Sequence, residues 1–135
     1  MFTRSGNAVF LLNYHLVIVV KYRKQLFTYD AIVQDLKQLV EQVANKHGIT
    51  VISQECGTDH IHILFKCKPT TNLTLFVNTL KGYTSRMLRE LHVDLIKPLL
   101  WGDALWSPSY FLATAGNVSL DTLVQYINNQ RTVSC

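Results

Sequence analysis

Four side chains have the types and spacing for phosphoryl chemistry on a metal ion: His60, His62, Tyr126 and Gln130. His60 and His62 flank one residue in the run HIHILFKC, residues 60–67. On a strand, side chains two apart point the same way. The pair then shares one face, and Ile61, Ile63 and Phe65 take the other. Two imidazoles so held can bind one divalent cation. The same spacing also fits two polar residues on a solvated strand face. Tyr126 and Gln130 are four apart, so on a helix they sit on one side, a turn apart. Leu120, Leu123, Val124 and Ile127 form that helix's apolar stripe, and the two polar residues fall at its margin. An anchored side chain there can still reach a cleft, although a boundary tyrosine and a surface glutamine would leave the same pattern.

Taken together, the four make a coherent site. A phenol is a poor nucleophile at neutral pH, because its pKa is about 10. A metal ion on a phosphodiester polarises the phosphorus and neutralises developing charge. Two imidazoles and an amide oxygen would leave such an ion positive, with positions open for phosphate. Attack by the tyrosine would then keep the bond energy in a phosphotyrosine link.

Positioning these groups falls to a short series of elements. Residues 14–20 (YHLVIVV) are β-branched and continuous, which predicts a buried strand. A basic, aromatic segment follows, Lys21-Tyr22-Arg23-Lys24. Asp30 is the expected cap of a helix carrying Ile32, Leu36, Leu39, Val40 and Val43 at helical spacing, and Gly48 stops it. Residues 51–56 and 60–67 predict a hairpin around Gly57-Thr58-Asp59. Asn72 is placed to cap a second helix, with Leu73, Phe76, Val77, Leu80, Met87, Leu88 and Leu91 as its stripe. After a less regular stretch holding Pro98, Trp101 and Trp106, residues 110–114 predict a fourth strand. The tyrosine helix comes last. Strand, helix, strand, strand, helix, strand is the split βαβ, ferredoxin-like pattern, an α+β fold with an antiparallel sheet. Its two helices cover one sheet face and leave the other for binding or for the added C-terminal helix.

Composition narrows the function further. The 135 residues are one domain's worth, 1–135, and 48% are apolar against 16% charged, which excludes intrinsic disorder. The net charge of +4 and a pI near 9.1 suit a polyanionic partner. Three irregularly spaced cysteines argue for a reducing cytoplasm over a disulfide framework. The opening residues show no signal peptide, and no apolar run approaches the ~20 residues that span a bilayer.

Several segments carry a family resemblance. His60-Ile61-His62 resembles the HUH motif, and residues 126–130 (YINNQ) resemble the Y-x-x-x-Q helix of its one-tyrosine members. YHLVIVVKYR (14–23), GTDHIHILF (57–65), LKGYTSRMLR (80–89) and LWSPSYFLAT (105–114) are similar, in order, to the small single-strand DNA transposases of insertion sequences. The likeness covers nearly the whole chain. It implies Tyr126 as the nucleophile of a 5′-phosphotyrosine adduct that leaves a 3′-hydroxyl. It implies His60, His62 and Gln130 as ligands of Mg²⁺ or Mn²⁺. It also implies a homodimer joined sheet edge to sheet edge, with the tyrosine helix of one subunit completing the metal site of the other. The substrate would be single-stranded DNA with subterminal hairpins. One departure is the tail, only five residues after Gln130, which bears on how firmly the last helix docks. The joint 115–117 (AGN) would let that helix pack on either subunit.

The DNA-contact candidates are Lys21, Tyr22, Arg23 and Lys24, then Lys81, Arg86 and Arg89 on the second helix, with Lys66 and Lys68 as further candidates. Each also fits a solvated face. Asp59 could orient a histidine or merely shape the turn. Cys56 and Cys67 fit buried strand ends better than zinc ligands, and Trp101 and Trp106 fit interface or core rings. Three other readings remain. One is a replication initiator or relaxase with the same motif. Another is a non-catalytic nucleic-acid module, disfavoured because the third strand displays histidines rather than stacking aromatics. The last is a metal hydrolase using water, which would not need Tyr126.

Overall fold

A computed structural model of the chain describes residues 10–102, 104–117 and 120–129. Four strands form one sheet: β1 (Leu12–Val19), β2 (Thr50–Cys56), β3 (His60–Cys67) and β4 (Phe111–Thr114). Their order across the sheet is β2-β3-β1-β4, and every neighbouring pair is antiparallel. Helices α1 (Asp30–Lys46) and α2 (Leu73–Leu91) complete the ferredoxin-like arrangement. A one-turn helix, α3 (Val93–Ile96), and the final helix, α4 (Leu120–Asn128), are additions to it. None of the described helices is long and apolar enough to cross a membrane.

The continuous apolar run of β1 has a two-sided explanation. Leu16, Ile18 and Val20 join the main core with Ile61, Ile63 and Phe65 of β3, beneath α1 and α2. Val17 and Val19 face the opposite way, are equally buried, and lie against Phe111, Tyr126 and Ile127. A central strand covered on both faces must be apolar at every position. The expected stripe of α1 is buried as the spacing predicts, Ile32 through Val43.

Two local expectations are corrected. Asp30 is the first helical residue of α1 and not its cap; Tyr29 precedes the helix and makes no side-chain capping bond. Asp30 instead places a negative charge in the first turn, where the helix dipole favours it. Asn72 does cap α2, its Oδ1 accepting from the Leu75 N–H at 3.0 Å. In α4, Val124 is 44% exposed while Tyr126 and Ile127 pack on the sheet. The phenol ring therefore belongs to the packed side of the helix rather than to its margin.

Candidate active site

The face of the sheet opposite α1 and α2 displays the candidate residues His60, His62 and Tyr126. Strand register pairs Val17 with His62 and Val19 with His60, so all four side chains share that face. Glu55 of β2 stands opposite His62 on the other side. Residues 61, 63 and 65 are fully buried on the helix side, as alternation requires. Cys67 follows them into the core, and Cys56 packs against it. Burial raises both thiols above their usual range. Both cysteines thus point away from the histidines, which removes them as co-ligands.

His60 is held by its neighbour. Its Nδ1 lies 2.9 Å from Asp59 Oδ1, and Asp59 Oδ2 accepts from Arg23 Nε at 2.7 Å. Asp59 is only 5% exposed. Burial pushes its carboxyl up, but the hydrogen bonds and charges of His60 and Arg23 outweigh this, and the net shift is downward. The carboxylate stays ionised and can only accept, so His60 Nδ1 carries a proton, and in the neutral ring the lone pair is on Nε2. The ring leans over Gly57, where a Cβ would overlap it. Glycine is required here for space.

His62 is held differently. Its Nε2 lies 2.7 Å from Nδ1 of His15, and the two rings stack with centroids 4.9 Å apart. Its pKa is lowered, first by burial and then by the charge of His15 and His60, against the opposing pull of Glu55. A neutral imidazole is the form that binds metal. His15 escapes a reading of the sequence because it sits inside a run that looks uniformly buried. Its signal is the spacing of two from Val17, which puts it on the histidine face.

Tyr126 reaches this face from α4. Its ring packs on Phe111 with centroids 5.3 Å apart, above Val17 and Val19. Its hydroxyl lies 3.3 Å from Ser109 Oγ. The segment holding Ser109 runs beside the end of β1, for the Ser107 N–H donates to Val19 O at 2.8 Å. That is the end at which Val19 pairs with His60. The phenol therefore docks over β4 and β1, on the sheet face where β3, the strand next to β1, displays the imidazole pair. Burial pushes the Tyr126 phenol up, and the Ser109 hydrogen bond acts in the opposite direction. Gln130 lies outside the described residues.

The donor chemistry suits a divalent ion. It includes one imidazole oriented by a carboxylate, as metal-binding histidines commonly are, and a second biased to neutrality. Among the described residues no group of three or more His, Cys, Asp or Glu forms a metal cage. The histidines thus offer two ligands, and other positions need water, phosphate or a further side chain.

The expected DNA contacts divide into two groups. Lys21, Lys81, Arg86 and Arg89 line one open groove of about 640 Å³ between α2 and the segment at Trp106. Within it, Lys81 Nζ donates to the carbonyls of Ser107 and Pro108 at 2.9 and 3.1 Å. Arg89 donates to those of Leu100 and Ala104 at 2.6 and 2.8 Å. These two cations therefore clamp the irregular stretch onto α2, a role the sequence does not announce. Burial lowers the Lys81 pKa. Arg86 stacks on Tyr83 and Lys21 on Tyr22, 5.4 and 5.2 Å from the ring centroids. Trp106 is buried, its Nε1 donating to Thr84 Oγ1 at 2.9 Å, whereas Trp101 is 83% exposed.

Arg23 departs most from expectation. Its guanidinium turns inward to Asp59 rather than lying simply on a basic surface. Tyr22 and Arg23 both occupy the left-handed region, with φ of 59° and 54°. For residues with a Cβ this costs roughly 1–2 kcal/mol each.

Comparison with known proteins agrees with this fold. The family described as "Transposase IS200 like" matches residues 8–130. The ISDra2 transposase TnpA of Deinococcus radiodurans is 34% identical over 122 residues, which are 90% of this chain and 86% of that protein. The transposase for insertion sequence element IS200 of Salmonella typhimurium is 30% identical over 117 residues, 87% of this chain and 75% of that one. A transposase-family crystal structure from Deinococcus radiodurans R1 superposes with a TM-score of 0.86 at 32% identity, covering 98% of this chain and all (100%) of that chain. A REP-associated tyrosine transposase bound to a REP hairpin shares the fold, with a TM-score of 0.56 at 12% identity over 93% of this chain and 72% of that one.

Proposed function

Since the chain belongs to the IS200-like transposase family, we propose that it cleaves and rejoins single-stranded DNA at insertion-sequence ends, with Tyr126 as nucleophile. The observation that carries this reading is the docking of Tyr126 on the sheet face that displays His60 and His62, one strand away. A water-using hydrolase would give no reason for a phenol there.

In the reaction the Tyr126 oxygen loses its proton and bonds to phosphorus. The bond from phosphorus to the 3′ oxygen breaks, and that oxygen takes up a proton to become a free 3′-hydroxyl. Rejoining reverses the sequence, with a 3′-hydroxyl attacking the phosphotyrosine and the phenol leaving. His60, His62 and Gln130 would hold Mg²⁺ or Mn²⁺. When bound, the ion polarises the phosphate and neutralises developing charge. The chain's own contribution is placement. Phe111 sets the phenol ring, Ser109 makes its proton easier to lose, and Asp59 fixes which nitrogen of His60 can accept a ligand.

The groove holding Lys21 and Arg86 is the proposed path for the DNA backbone, and exposed Tyr22 is a stacking ring beside it. The relative bound to a REP hairpin supports hairpin ends as the feature read. We take the working unit to be a DNA-associated, cytoplasmic homodimer that shares its active sites. In the single chain α4 already covers its own sheet, so the 115–117 turn would have to carry the helix across.

The test is incubation with single-stranded DNA carrying the element's end and Mg²⁺, followed by denaturing electrophoresis. A denaturation-resistant protein–DNA adduct is expected, absent in Tyr126→Phe and after chelation. Cleavage that persists in Tyr126→Phe would transfer the role to water.

A further inference from the structure

The left-handed turn at Tyr22 and Arg23 lies outside the bond-making steps of the reaction. Consecutive non-glycine residues in that region persist only where surrounding contacts hold them, and such strain gathers at functional sites. Here the turn aims Arg23 Nε at Asp59 Oδ2, whose other oxygen meets His60 Nδ1. We propose that Arg23 is a positioning residue for His60, acting through Asp59 to fix the ring's orientation and present its Nε2. This rests on the reading of His60 as a metal ligand.

Three features support a directed relay over an incidental ion pair. Asp59 Oδ2 meets Arg23 and Oδ1 meets His60, so the carboxylate cannot rotate without breaking both bonds. The group is nearly excluded from solvent, so water cannot readily replace the guanidinium. The backbone around it is held independently. Val20 N–H donates to Asp59 O at 2.8 Å, Phe27 N–H to Thr58 O at 2.9 Å, and Arg23 N–H to Val20 O at 2.8 Å. Those bonds survive a change of the Arg23 side chain. The guanidinium is therefore not needed to bring residues 20–27 against the hairpin turn, and its bond to Asp59 acts on the carboxylate. Gly57 completes the device by leaving room for the ring.

Two readouts test this on the full chain. The first is nitrogen-15 NMR of the histidine rings without metal. Wild type is expected to show His60 as the Nδ1–H tautomer; Arg23→Gln and Asp59→Asn should mix the tautomers or broaden the signal. The second is Mn²⁺ titration. Each variant should bind about tenfold to a hundredfold more weakly, and the double variant should bind no more weakly than Asp59→Asn, because both act on one path. Arg23→Lys, which keeps the charge, should recover part of the loss and serves if Arg23→Gln does not fold. Unchanged tautomer and Mn²⁺ affinity in Arg23→Gln, with weaker hairpin binding, would overturn the proposal and return Arg23 to phosphate contact. Additive losses in the double variant would overturn it too. If His60→Ala binds Mn²⁺ as wild type does, the ligand reading fails, and the tautomer result still decides whether Arg23 orients the ring.

Discussion

The two faces of the sheet are built from the same strands on opposite principles. Towards α1 and α2 lie Leu16, Ile18, Ile61, Ile63 and Phe65, all within 1% of complete burial and joined by packing alone. Towards α4, Val17 and Val19 are packed by Phe111, Tyr126 and Ile127, and His15, His60 and His62 stand beside them. One face supplies the stability that lets the other hold polar groups at fixed spacing. Burial is also used differently. It hides side chains on the first face, while on the second it tunes them, lowering His62 and raising Tyr126.

The comparison breaks most sharply at Tyr126. Tyr126→Phe keeps the ring on Phe111 and loses only the contacts of the hydroxyl. Adduct formation should fall at least about a thousandfold, with the unfolding midpoint almost unmoved. A large loss of stability instead would place Tyr126 with the structural face. His62→Ala and His60→Ala come next. Both should lose metal-dependent cleavage and retain most hairpin affinity in a gel-shift titration, since binding is expected to rest on lysine and arginine. An equal loss of hairpin affinity would show that the imidazoles contact DNA.

Mixing subunits sharpens the same contrast, because it asks whether the chemical face is complete in one chain. Equal parts of Tyr126→Phe and His62→Ala, mixed by unfolding and refolding, give about half mixed dimers. If α4 crosses between subunits, each mixed dimer regains one working site, and cleavage returns. That is the expected result. Persistent inactivity would favour the self-contained packing seen in the single chain.

The structural face is tested by Leu16→Ala. Loss of a fully buried leucine should cost about 2–5 kcal/mol, read from urea unfolding. The neighbouring His15→Ala should cost about 1 kcal/mol, the scale of one hydrogen bond, yet alter the ring signals of His62. Two adjacent residues on one strand would thereby separate packing from chemistry.

This division also governs what the sequence disclosed. β3 is legible because burial alternates strictly from His60 to Cys67, and the side-chain types follow it except at Leu64. α2 is legible because its stripe is regular and Asn72 marks its start. β1 is legible as a strand, but covering both faces with apolar residues conceals which side each residue takes. His15 is lost for that reason. Asp59 was visible as a candidate, but its partner Arg23 lies 36 positions away, across a left-handed turn that no residue type there announces. Lys81 and Arg89 look like surface cations because nothing local shows that α2 must hold down residues 100–108. Periodicity reports on the faces of elements; clamps and relays depend on tertiary approach, which it does not encode.

Ser109 offers the smallest and most selective change. Its hydroxyl links Tyr126 to the segment leading into β4, and that hydrogen bond lowers the phenol's pKa against the rise caused by burial. Ser109→Ala removes this lowering influence and leaves the burial, so the phenol is expected to titrate at higher pH than in wild type. The alkaline rise in tyrosinate absorbance at this site, isolated by subtracting the Tyr126→Phe titration, should move upward. If cleavage depends on loss of the phenol proton, the rising limb of the rate against pH should move the same way, with the plateau rate little changed. A downward shift would mean that Ser109 stabilises the protonated phenol, and that Tyr126 is readied for attack by some other group on the histidine face.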